Sequence, residues 1–137
     1  SDIPELLTRG LLESDYNAYL FILDKAYWNG INIGSTLNDT NSYNSWFSTH
    51  AHCLSFLVGT RVRPIDARGG TYYGKNHEGI PDEVGVTILH RMIELGADLT
   101  IQNYYGDTIM DQYQMVTDKY PRKNNTNFKN AVFKTYP

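Results

Sequence analysis

A chain of 137 residues suits a single domain, and its net charge of −3 excludes a general attraction to phosphate backbones or anionic membranes. No apolar run reaches the roughly eighteen residues a membrane span needs, and the opening Ser1 to Gly10 has no basic-plus-apolar leader pattern. Cys53 is the one cysteine, so no internal disulfide can form; a reducing, cytoplasmic setting is expected, that of a host if the chain is a viral or effector protein.

The chain reads as a series of helices. Asp2-Ile3-Pro4-Glu5 is a helix start, with Asp2 as cap and Pro4 in the first turn, and Leu6, Leu7, Leu11 and Leu12 form an apolar face over 4–12. Ser14-Asp15 opens a second helix over 16–28, whose buried candidates are Tyr19, Leu20, Ile22, Leu23, Ala26 and Tyr27. It stops at Asn29-Gly30. Residues 34–44 are polar and turn-rich and read as a long finger. A third helix is expected over 45–58, carrying Trp46, Phe47, Ala51, Leu54, Phe56, Leu57 and Val58. Residues 59–80, with Gly-Gly-Thr-Tyr-Tyr-Gly-Lys-Asn at their centre, read as a long loop insertion. Pro81-Asp82-Glu83 then starts a helix over 82–95, with Ile88, Leu89, Met92 and Ile93 on one face. Gly96-Ala97-Asp98 ends it. A short extended piece from Leu99 to Gln102 leads to the turn Asn103 to Asp107, and Thr108 caps a helix over 108–120. The last helix covers 127–135, with Phe128, Ala131, Val132 and Phe133 facing inward. Leu23, Leu89, Met92 and Phe133 are the expected core.

Two stretches echo each other. With Gly30 laid on Gly96, Ile22 meets Ile88, Leu23 meets Leu89, Lys25 meets Arg91, Ala26 meets Met92, Asn32 meets Asp98 and Ile33 meets Leu99. The stretch from Ile88 to Thr108 resembles the ankyrin repeat, whose pattern runs from a leucine-rich helix through Gly-Ala-Asp and a finger to Gly-x-Thr-Pro-Leu-His. Gly96, Ala97, Asp98, Gly106 and Thr108 match that pattern, Ile109 and Met110 stand for Pro-Leu, Asp111 replaces the histidine, and Arg91 takes a place usually leucine. The resemblance covers about 25 residues. It implies an all-α fold, a short stack of about three ankyrin-like helix pairs in one domain over 1–137, interrupted by the insertion.

Several residues invite chemistry. Gly69 to Asn76 nearly spells a phosphate loop, but Asn76 lacks the hydroxyl that magnesium needs there, and the flanks do not read as strand and helix. His50, His52 and Cys53 suggest a metal, yet neighbours two apart on a helix face different ways and no second cluster completes a site. Cys53 as a nucleophile with His90 as base lacks any surrounding motif; a buried thiol and a core histidine are the plainer reading. Arg61, Arg63, Arg68 and Lys75, interleaved with Tyr72 and Tyr73, could meet nucleic acid, against which the acidic balance argues. Asp107 and Asp111 read as first-turn carboxylates of a helix.

Protein binding without catalysis is the expectation that remains, with no cofactor, metal, nucleic acid or membrane. The anchors expected are Tyr104 and Tyr105 on the finger, Tyr72 and Tyr73 in the insertion, then Trp28 and Tyr43. Self-association is a second way for so short a stack to cover its ends. The alternative is a small enzyme or small-molecule or nucleotide sensor that uses 59–80 as a lid. The asparagine- and tyrosine-rich makeup fits a viral or pathogen effector.

Overall fold

A computed structural model describes residues 16–40, 48–59, 80–119 and 126–135, and among them the fold is all-α, with six helices and no strand. They are α1 (Tyr16–Trp28), α2 (Gly34–Asn38), α3 (His50–Gly59), α4 (Asp82–Glu94), α5 (Ile109–Lys119) and α6 (Thr126–Thr135). The helix expected over 4–12 and the loop over 60–79 lie outside the described residues.

Five of the six described helices form two rows, and the short α2 packs against α3. α4 packs against α1 on one side and α6 on the other, while α3 packs against α5; α3 also meets α4, and α5 meets α6. The apolar spacing explains the seams. Tyr19, Leu23 and Ala26 make one buried stripe on α1, and Ile88, Leu89 and Met92 make another on α4. Gly85 lets α4 come close to its neighbours: a Cβ there would stand 2.5 Å from Val58 Cγ2 on α3 and 3.1 Å from the Phe128 ring on α6. At the far end of α3, the Ile80 N–H donates to the Leu57 carbonyl at 3.0 Å. The two ends of the insertion therefore meet, and α4 enters directly beside the end of α3.

The echo between α1 and α4 is physical. Gly30 and Gly96 have φ of +64° and +102°, the left-handed region that glycine enters without a Cβ penalty. Each closes its helix with the same pair of bonds: Gly30 N–H to Tyr27 and Ile31 N–H to Ala26, Gly96 N–H to Ile93 and Ala97 N–H to Met92. Asn32 then accepts the Gly34 N–H and Asp98 the Thr100 N–H, both at 2.9 Å. Ile33 and Leu99, one residue past each carboxyl or amide, are both buried.

Four expectations need correction. The helix expected over 45–58 begins at His50: Ser48 and Thr49 lie outside it, because Thr49 caps it by accepting the His52 N–H. Residues 34–38 are a short helix, α2, rather than part of a finger. The Asn38 side chain brackets the other turn, donating to the Gly96 carbonyl at 2.9 Å and accepting the Asp98 N–H at 2.8 Å, while Leu37 is buried. Such tertiary bonds offset the weak helix propensity of Gly-Ser-Thr-Leu-Asn. Phe133 is 50% exposed and not core. The buried stripe of α6 is Phe128, Ala131 and Val132, one step of about 100° short of Phe133, whose ring instead lies under Lys129 Nζ. Tyr27 is exposed and stacks under the Arg91 guanidinium, 4.0 Å from its ring centre. Leu23, Leu89 and Met92 are buried as expected.

Candidate functional site

The finger between α4 and α5 is built around Asn103. Its backbone N–H donates to the Asp107 carbonyl at 2.8 Å, and its side-chain oxygen accepts the N–H groups of Tyr105 and Asp107, each at 2.9 Å. Gly106, at φ +84°, donates its N–H to the Asn103 carbonyl and turns the chain back. The tip presents Tyr104 and Tyr105, 75% and 57% exposed, with their rings edge to face and 6.4 Å apart.

Thr108 and Asp111 then cap α5 reciprocally: Thr108 Oγ1 accepts the Asp111 N–H at 3.3 Å, and Asp111 Oδ2 accepts the Thr108 N–H at 3.1 Å. Asp111 is thus in the first turn as expected, whereas Asp107 precedes the cap and belongs to the finger. The outward face of α5 carries Asp111, Gln114, Met115 and Asp118, and with Asp107 they line an open groove of about 670 Å³. A second open groove of about 490 Å³ lies between α4 and α6, lined by Val86, His90, Asn127, Asn130, Ala131, Phe133 and Lys134. His90 is exposed on its rim and is not the core residue its helix position suggested.

Beneath the finger runs a buried polar chain that sequence reasoning did not find. Asn103 Nδ2 donates to Gln112 Oε1 at 3.2 Å, and Gln112 Nε2 donates to the His52 carbonyl at 3.0 Å. The His52 ring reaches the Asp107 carbonyl through Nε2 at 2.8 Å and Thr49 Oγ1 through Nδ1 at 2.7 Å. Thr49 also caps α3 by accepting the His52 N–H at 3.2 Å. A signal for part of this was present: Thr49-x-x-His52 repeats the spacing of Thr108-x-x-Asp111. Nothing in the sequence marks Gln112, which reads as an ordinary surface residue of a helix.

His50 points elsewhere. Its Nδ1 lies 3.0 Å from the Tyr19 hydroxyl, with the rings stacked. Burial pushes the His50 pKa down to about 4, against an opposing pull from Asp39. Burial also lowers His52, partly offset by the Asp107 carbonyl and the Asp107 charge. Burial raises the Tyr19 hydroxyl and the Cys53 thiol, so the Cys53 thiolate is strongly disfavoured inside the core. Among the described residues, no three histidine, cysteine or acidic side chains converge as metal ligands.

Of the expected anchors, the structure brings Tyr104 and Tyr105 together. Trp28, 75% exposed, sits at the end of α1 with its ring against Tyr27 rather than against the finger pair. Tyr43, Tyr72 and Tyr73 lie outside the described residues, as do the near phosphate loop and the arginines of the insertion. No helix among the described residues is long and apolar enough to cross a membrane. No protein-family model, curated protein or solved structure matches the chain.

Proposed function

We propose that the chain is a non-enzymatic protein-binding module, a short stack of ankyrin-like helix pairs that engages its partner through the finger 103–107 and the outward face of α5. The observation that carries this reading is the exposed Tyr104–Tyr105 pair, held at the tip of a turn whose backbone is bonded from within by Asn103. Tyrosine rings on a rigid turn offer a large contact area with little side-chain entropy to lose. The neighbouring groove adds an exposed thioether at Met115, an adaptable apolar contact.

The ankyrin-like part of the proposal draws support from three features. Helix rows α1–α4–α6 and α3–α5 stack in sequence order. Gly30 and Gly96 end their helices with the same bonds. Thr49-His50-Ala51-His52 stands, like Thr108 to Asp111, where the family pattern has Thr-Pro-Leu-His, and here the histidine is kept. An effector acting on a host protein fits the same composition.

The test begins with affinity capture on the tagged chain to identify a partner, followed by titration of the Tyr104→Ala, Tyr105→Ala double variant with unchanged melting. Loss of such an anchor costs about 2 kcal/mol or more, roughly a thirtyfold weaker Kd. Binding as tight as the parent's would remove the finger from the site.

A further inference from the structure

We propose that the chain associates with itself head to tail, the acidic groove on α5 of one copy receiving the basic rim of the α4–α6 groove of another. The contact goes beyond the binding reading above and does not depend on Tyr104 and Tyr105.

The two open grooves are opposite in charge and alike in build. Asp107, Asp111 and Asp118 line the α5 groove, and none of the described residues lining it is basic. His90 and Lys134 line the α4–α6 groove, and none of the described residues lining that one is acidic. Lys129, whose Nζ lies 5.8 Å from the centre of the Phe133 ring, adds a second ammonium beside it. Each groove also holds one apolar side chain left about half exposed, Met115 in the first and Phe133 in the second. Among the described residues the ion pairs are those of Arg91 with Asp24 and Glu94, so the Asp118 carboxylate and the Lys134 ammonium are not neutralised within them.

Charge decides the arrangement. A twofold contact sets a patch against its own copy, which would bring carboxylates to carboxylates on α5 or ammonium to ammonium on α6. Opposite charges meet only when the α5 groove of one copy faces the α4–α6 groove of the next. Met115 can then lie against Phe133, a thioether on an aromatic ring. The grooves belong to different helix rows, so one pairing leaves a groove of each kind open and the contact repeats from copy to copy. Contacts this small fall below a standard interface, and the net charge of −3 on every copy opposes them, so the association is weak.

The experiment is sedimentation velocity on the full chain without any partner. At low salt the weight-average sedimentation coefficient should rise between about 10 μM and about 1 mM protein, and about 0.5 M salt should suppress the rise by screening. Asp118→Lys and Lys134→Glu, both at exposed helix positions, should each weaken association about tenfold or more. An equimolar mixture of the two variants should recover it, because the reversed charge of one then faces the reversed charge of the other. If either reversal fails to fold, Asp118→Asn and Lys134→Gln should still weaken association. A parent that stays monomeric at about 1 mM in low salt overturns the proposal and needs no variant. Association that salt strengthens, variants that associate as the parent does, or a mixture no stronger than its parts overturns it as well. The Tyr104→Ala, Tyr105→Ala variant should associate as the parent does; if it does not, the contact lies on the finger and the proposal fails. Unchanged partner binding by that variant would sink the binding reading and leave this result standing.

Discussion

At the residue scale, burial of ionisable groups sets the pH response. His50 is neutral in the core, with its pKa near 4 against an ordinary value of 6.5. Between those values the unfolded chain holds more protons than the folded one, so stability is fully present above about pH 6.5 and drains away as pH falls towards 4. The loss from His50 alone is on the order of 3 kcal/mol at most, and the lowered His52 acts in the same direction. Urea unfolding at pH 7 and pH 4.5 measures it. His50→Asn, which can still face the Tyr19 hydroxyl, should flatten the dependence; an unchanged slope would show that His50 does not cause it. Gly85 makes a second residue-scale case. Alanine there gains about 1 kcal/mol of helix propensity, but its Cβ meets two fully buried side chains, Val58 and Phe128, and overpacking of this kind costs about 1–3 kcal/mol. Gly85→Ala should lower the melting temperature, and a rise would mean that α4 does not lie this close to α3 and α6.

At the scale of elements, helix ends carry much of the specificity. The buried Asp82 carboxylate opens α4 and also receives the Asn127 and Phe128 N–H groups at 2.8 and 2.9 Å, so it caps α6 from another helix. Asp82→Ala removes two charge-assisted bonds and leaves the N-terminus of α6 unsatisfied. The expected cost is at least about 2 kcal/mol, with the Phe128 amide losing hydrogen-exchange protection before Leu89 does. A cost below about 0.5 kcal/mol, within the scatter of surface substitutions, would show that the carboxylate is not the cap. The Asn38 amide plays a comparable part between α2 and the Gly96 turn, which places the loops after α1 and α4 side by side.

At the scale of the molecule, α4 is the middle of its row, with α1, α3 and α6 all against it. Leu89 is fully buried there, and Leu89→Ala should cost about 2–5 kcal/mol as lost transfer energy plus a cavity. Urea denaturation measures the loss; a change below about 0.5 kcal/mol would place Leu89 at a surface. Tyr104, Tyr105 and Met115 project away from this packed centre, on the finger and the outer face of α5. On the proposed reading these three are the recognition residues, and loops held by a scaffold commonly carry function.

How much was legible in the chain follows from which interactions are local. Helix α1 falls on the residues its apolar spacing marks, α4 and α6 differ from expectation by one residue at one end and α5 by one at each end, α3 starts at His50 rather than at 45, and the stops at Gly30 and Gly96 were readable. Period, cap and C-terminal glycine are all decided within a few residues of sequence. The aromatic tip at Tyr104 and Tyr105 was readable too, because an Asn-x-x-Gly turn shows itself locally. The tertiary structure alone decided α2, the outward turn of Phe133, and the chain from Asn103 through Gln112 to His52. The first and last depend on partners far along the sequence, Asn38 on Gly96 and Gln112 on His52, as does the Asp82 cap of Phe128. A buried polar group is worth keeping only where a distant donor or acceptor meets it, and that meeting is set by how the helices pack, not by the residues on either side.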